Sequence, residues 1–351
     1  MTTSKGLLSL VLHAHLPFVR HPEHADMMEE RWLFEAITET YIPLLEVLGK
    51  LVADGIRFRL TMTLTPPLVN MLADEMLIGR YSAHLTRLEE LAEKEVERTR
   101  WQPEFYATAL MYREKFRRIR GIFKVCDGNL IRLFKKYQNL GVLDIITCCA
   151  THAFLPLLSD FRPAVRAQIE MAVRDYQKHF ECSPRGIWLA ECAYNPGDDK
   201  ILSDFGIRYF FTDTHGILFA DPRPAYGVHA PVECPSGVLG FGRDVESSRQ
   251  VWSAHEGYPG DFAYREFYRD IGFDLEFDYI HPYIHESGHR LNTGIKYHRI
   301  TSRDGAEKQP YNYQEAMTRV AVHAGHFIHC REQQMKHLNA IMDRPPVIIS
   351  P

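Results

Sequence analysis

Glu191 closes the apolar run Gly186-Ile187-Trp188-Leu189-Ala190. A carboxylate at the end of a buried, inward-facing strand needs a partner or a chemical use, because stripping water from an unpaired charge is costly. Nucleophile and general base are the uses open to it, and a structural ion pair is the plain alternative. His13 and His15 close another apolar run, and side chains two apart on a strand share a face. Thr65, His152, Asp213 and His215 end further strand-like runs. Strand ends that converge on one mouth are how a β/α barrel assembles an active site.

Three chemistries fit paired imidazoles in such a place. They could ligate a metal together with His152, Asp213 or His215, as in a metal-dependent deacetylase or hydrolase. They could hydrogen-bond sugar hydroxyls, or they could simply be satisfied histidines. A glycosidase sets two carboxylates across the scissile bond, and Asp213, at the next strand end, lies in no recognisable acid motif. Of the four tryptophans, Trp32 and Trp252 stand in polar, loop-like surroundings and suit stacking on a pyranose ring. Trp101 lies in a helical stretch, and Trp188 on the core strand is expected to face away from Glu191.

The elements that must position these groups are legible as a strand-helix rhythm. Leu7 to Leu16 reads as a first strand stopped by Pro17, and Arg57 to Leu64 as a second stopped by Pro66-Pro67. Between Val69 and Gly141 the period changes. Leu85 to Arg100 and Tyr112 to Tyr137 carry apolar residues at helical spacing, so 69–141 is expected to be a helical insertion. Its basic residues Lys115, Arg117, Arg118, Arg120, Lys135 and Lys136 read as a solvated face rather than an anion site. Strand character returns at Val142 to Thr151, then a helix Ala164 to Phe180, the Glu191 strand, a short helix Asp198 to Phe205, and a strand Ile207 to Thr212. That alternation implies parallel strands with helical crossovers. Pro222 to Gly260 reads as a long lid or binding loop, Tyr313 to Asp343 as one long helix, and Pro345 to Pro351 as a last strand.

The 351 residues, 45% hydrophobic and 25% charged, are ordinary globular values, which excludes disorder and a membrane protein as classes. A net charge of −4 argues against nucleic acid and for a neutral or mixed substrate. Seven scattered cysteines without a CxxC pattern support neither a zinc knuckle nor a disulfide framework, and no redox role is assigned to them. With no apolar signal segment at the N-terminus, a cytoplasmic protein is the expectation.

Four patches together resemble glycoside hydrolase family 57, and within it the α-1,4-glucan branching enzymes: LHAHLPFVRHPE (Leu12 to Glu23), ITCCATHAFLPLL (Ile146 to Leu158), WLAECAY (Trp188 to Tyr194), and SSRQVWSAHEGYPGDFAYREFYRDIGFD (Ser247 to Asp274). The resemblance implies an α/β fold, a distorted (β/α)7 TIM-like barrel filling 1–351, and a retaining double displacement with Glu191 as nucleophile. It implies an α-1,4-glucan substrate lined by His13, His15 and His152, with Arg269, Phe273 and Gly288 as further contacts beside the stacking candidates Trp32 and Trp252, and no metal or other cofactor. A 4-α-glucanotransferase or α-amylase of the same family differs only in the acceptor it uses, and an inactive glucan-binding module is the non-enzymatic alternative. The resemblance also implies a general-acid Asp directly after the strand PPVIISP, and a C-terminal helical domain. Pro351 precedes both, so the expectation is an incomplete catalytic core with little or no branching activity by itself, since general acids supply about 10²–10⁴-fold.

Overall fold

The computed structural model describes residues 5–285, 287–302 and 307–351. Eight strands make one sheet: β1 (Leu7–Ala14), β2 (Leu60–Leu64), β3 (Leu143–Cys148), β4 (Gly186–Trp188), β5 (Tyr209–Thr212), β6 (Val232–Glu233), β7 (Leu239–Gly242) and β8 (Val347–Ser350). Their order is β6-β7-β5-β4-β3-β2-β1-β8, and every pairing is parallel except the antiparallel β6–β7 pair. Parallel neighbours need crossover connections, and helices supply them, as the alternation of patterns demands. The result is an α/β fold, a distorted (β/α)7 barrel.

The ring closes differently from the way its strands pair. β6 occupies the free edge of β7, with Val232 opposite Gly240 and Glu233 opposite Leu239, so β7 has no ladder to offer β8. The chain just beyond β7 makes the junction instead, where Asp244 N donates to Ile349 O of β8 at 2.8 Å. The buried Asp244 carboxylate also caps the helix Val245–Trp252 by accepting from Ser247 N (2.7 Å). It is held as well by Gln334 (2.6 Å) and Arg331 (3.2 Å) of the long helix Tyr313–Ile341.

Between β2 and β3 run the helices Pro66–Leu72, Glu75–Arg98, Pro103–Val125 and Ile131–Asn139. Asp74 caps the second by accepting from Leu77 N, and Pro103 opens the third, where a missing N–H costs nothing. The stretch from Tyr112 to Tyr137 is two helices rather than one. The break falls where Asp127 (φ 50°) and Gly128 (φ 78°) turn left-handed against Ile78. The inward residues Leu77, Tyr81, Leu85, Leu88 and Leu91 recur at helical spacing and join Tyr112, Phe116 and Phe134 in a core shared with β2.

Four of the basic residues here are ion-paired, Arg118 to Glu46, Arg117 to Glu93, Arg120 to Glu89 and Lys135 to Glu181, while Lys136 lies over the Tyr137 ring. Lys115 departs from the expected solvated face, since its ammonium is buried against Glu39 at 2.6 Å. The other departure concerns 222–260. It is not one long loop but holds the β6–β7 hairpin, turned at Cys234–Gly237, and the helix Val245–Trp252.

Candidate active site

At the C-terminal ends of β1, β3 and β4 four rings stack. His13 sits within β1, His15 one residue beyond it, Trp188 ends β4, and His152 follows β3 on a turn where its own φ is +54°. The His15 and His152 rings lie 3.7 Å apart and nearly parallel. His13 is 5.4 Å from His152, and Trp188 lies over His13 at 4.7 Å. Trp188 is thus buried in the stack while the chain beyond it turns outward. β4 stops at Trp188 and the chain turns before Glu191, so strand alternation does not carry across those three residues.

Glu191 itself is neither on a strand nor buried. It sits on a tight turn, Ala190–Cys192, with φ +54°, and Cys192 follows at +57°. Two consecutive non-glycine residues in the left-handed region cost of order 1–3 kcal/mol each and persist only where surroundings enforce them. Here Cys192 N bonds Leu189 O (2.8 Å), Ala193 N bonds Ala190 O, and Thr212 Oγ1 donates to Cys192 O (3.0 Å). The turn lifts the Glu191 side chain to 77% exposure while the residues on either side are buried, and leaves Oε1 3.5 Å from His152 Nε2. The carboxylate is thus aimed out of the mouth, the position an incoming electrophile can reach.

Burial keeps the imidazoles neutral. It pushes His13 down to about 3, helped by the fields of His152, His15 and Arg243, and His15 down to about 4, helped by His152. His152 is lowered by burial as well, against the opposing pull of Glu191. A neutral imidazole has one donor and one acceptor, which matches the hydroxyls of a sugar. His15 Nδ1 is taken by Thr65 Oγ1 at 3.1 Å, which leaves Nε2 of that ring for a ligand. Stacked rings point their in-plane nitrogens past one another. Among the described residues no group of three or more His, Cys, Asp or Glu is arranged to hold a metal ion.

The profile of glycosyl hydrolase family 57 matches residues 9–343. The chain belongs to that family. It is 34% identical to the 1,4-alpha-glucan branching enzyme of Thermococcus kodakarensis, over 99% of this chain and 52% of that protein. It is 29% identical to a probable 1,4-alpha-glucan branching enzyme of Mycobacterium tuberculosis, over 98% of this chain and 63% of that protein. The chain thus spans between half and two thirds of the length of these curated relatives. Among solved structures, an alpha-amylase from Thermotoga maritima is 52% identical with a TM-score of 0.96, over 99% of this chain and 67% of that one. The Thermococcus branching enzyme superposes with a TM-score of 0.85, at 34% identity, over 99% of this chain and 64% of that one.

Around this family 57 mouth the other expected residues occupy a wider ring. Trp32 is on the helix Glu30–Ala36 and Trp252 ends the helix Val245–Trp252, so both are helical rather than in loops, and both are exposed. Arg269 is engaged by Asp274 through Nε at 2.9 Å, which serves folding of its own segment at least as well as a ligand. Phe273 is half exposed on the short helix Ile271–Asp274, and Gly288 closes a turn onto His285 O with φ +76°. Asp213 caps Thr214–Leu218 through Thr214 N and lies 3.6 Å from His215. A groove of 770 Å³ between 103–114 and 309–315 shares no residue with the mouth.

Two participants escaped the sequence. Cys148 ends β3 with Sγ 3.1 Å from His152 Nδ1. Arg243, one residue past β7, sets Nη1 3.9 Å from Cys192 Sγ and its charge near His13. The only signal for Arg243 was the Pro-Ser-Gly turn at 235–237, which makes 238–242 a strand and Arg243 its end. For Cys148 the position at a strand end was visible, but not its partner.

Proposed function

We propose that this chain is the nucleophile-bearing core of an enzyme that cleaves α-1,4-glucans through a covalent glucosyl ester on Glu191, and that the preferred acceptor is the 6-hydroxyl of a second glucan, giving an α-1,6 branch. The observation that carries the reading is the Glu191 turn, a strained and self-bonded loop whose exposed carboxylate stands beside neutral imidazoles. A Glu191 oxygen attacks the anomeric carbon, whose bond to the leaving 4-oxygen breaks with its electron pair, and that oxygen takes a proton from water at the open mouth. The acceptor oxygen then attacks the same carbon, loses its proton, and the ester bond to Glu191 breaks. Two inversions retain the α configuration.

The acceptor choice rests on the segment that follows β7. From Ser247 to Asp274 it carries the exposed aromatics Trp252, Phe262, Phe267, Tyr268 and Phe273, broad faces on which a polymer can stack. The relatives named as branching enzymes favour the same choice. An α-amylase, with water as acceptor, is the second reading, favoured by the 52% identity to the Thermotoga protein.

The first test uses 5-fluoro-α-glucosyl fluoride, whose fluoride leaves without a proton, so the nucleophile is read by itself. Mass spectrometry of the digested chain should place one fluoroglucosyl group on Glu191, and Glu191→Gln should carry none. A label on another residue, or none at saturating reagent, overturns the nucleophile assignment. Amylose digestion followed by a debranching enzyme then separates the two acceptors, since branches are released as short linear chains and hydrolysis yields reducing ends alone.

A further inference from the structure

We propose that Cys148 is a positioning residue which, by donating its S–H to His152 Nδ1, fixes the imidazole with its proton on Nε2, facing the Glu191 carboxylate. Elimination carries the argument. His152 Nε2 faces Glu191 Oε1 at 3.5 Å, and a carboxylate oxygen accepts rather than donates, so the ring atom that turns toward it is the one on which a proton is favoured. A neutral imidazole has one proton, so Nδ1 is the acceptor, and the group 3.1 Å from Nδ1 must then be a donor. That group is the Cys148 thiol, which is wholly buried. Burial raises its ionisation well above the usual thiol range, so it keeps the proton this bond requires.

Geometry supports the assignment independently. His152 is held at φ +54°, a conformation that costs a non-glycine residue strain, and its backbone N bonds Cys149 O at 2.9 Å. That turn brings the ring back over the strand end from which Cys148 points. His15, stacked 3.7 Å away, blocks rotation of the ring out of this plane. The chain Cys148–His152–Glu191 thus has a thiol where a histidine-orienting carboxylate often stands. A neutral orienting group suits a histidine that must stay uncharged beside two other imidazoles. The catalytic consequence, a hydrogen bond that steadies the attacking carboxylate, rests on the reading of Glu191 as nucleophile; the tautomer does not.

Long-range ¹H–¹⁵N correlation of the ¹⁵N-histidine-labelled chain near pH 7, with His152 assigned by its loss in His152→Gln, reads the tautomer directly. The expected result is Nε2–H with an acceptor Nδ1; an Nδ1–H tautomer or an imidazolium overturns the inference. Cys148→Ser, which keeps a donor, should preserve the tautomer, and Cys148→Ala should leave a mixture. Fluoroglucosylation should slow about five-fold in Cys148→Ala, the size of one lost hydrogen bond, and by less than about two-fold in Cys148→Ser. Equal slowing in both variants with the tautomer unchanged assigns Cys148 to packing and overturns the inference. The expected tautomer in a chain that never takes the label upholds the inference and overturns the nucleophile reading instead.

Discussion

The helices between β2 and β3 and the mouth of the barrel are built from the same stock of residues under opposite rules. In the helical region most local preferences are met: Asp74 caps, Pro103 opens, Leu and Phe fall on the inner face, and Arg117, Arg118 and Arg120 each meet a glutamate, with the left-handed Asp127 and the buried Lys115 and His84 as exceptions. At the mouth the preferences are broken. Of six non-glycine residues with positive φ among the described residues, three are His152, Glu191 and Cys192. The histidines there are packed neutral, while the glutamate stands in solvent. Consistency across levels is what makes a fold, and its local failure marks where stability has been exchanged for chemistry.

The largest test of that contrast is Glu191→Gln. Loss of the carboxylate should reduce labelling by about 10⁴-fold or more. Because the side chain is exposed, the melting temperature should move by no more than about 2 °C. If calorimetry shows a large destabilisation, the mouth is structural after all and the contrast collapses. The mirror-image change is Phe116→Ala, which empties a fully buried ring site in the helical core. It should cost about 3–5 kcal/mol in denaturant unfolding while the labelling rate of the folded fraction stays as it was.

Acidification sharpens the comparison, because each region holds a histidine depressed to about 3, His13 at the mouth and His84 among the helices, both chiefly by burial. The free imidazole titrates near 6.5, so below that pH the unfolded chain binds protons that the native state refuses. Stability should be unaffected by these groups above about 6.5 and fall steadily toward about 3. Urea melts between pH 7 and 4 should show this slope, and either His13→Asn or His84→Asn should flatten it. Labelling at pH 7 should drop only in His13→Asn; a drop in both would tie the helical region to the site. The smallest effect belongs to Arg118→Ala, whose exposed ion pair with Glu46 should be worth less than about 1 kcal/mol by denaturant titration.

The sequence carried the parallel rhythm, the helical stretch and the three histidines because each rests on a short-range pattern, alternation or helical period, that survives without tertiary context. What it hid depended on places where the chain leaves those patterns. The turn at Ala190–Cys192 stayed hidden because the sequence Leu-Ala-Glu-Cys does not announce it. Glu191 was read as buried for the same reason. β7, only Leu239–Gly242 and containing two glycines, fell below what periodicity can detect, and Arg243 was lost with it. Trp32 and Trp252 looked loop-like because polar neighbours on an exposed helix face resemble a loop in one dimension.

The closure at Asp244 makes the barrel a split ring with a clasp. Opening a ladder breaks many backbone bonds in concert, whereas parting β8 from the end of β7 strains chiefly the bond from Asp244 N to Ile349 O, so the circumference is softest there. The clasp is one residue, and its side chain is gripped by Arg331 and Gln334 on the long helix. A load on that helix is therefore felt as hoop tension in the sheet, and a pull on Trp252, one short helix beyond the clasp, works the same hinge from the other side.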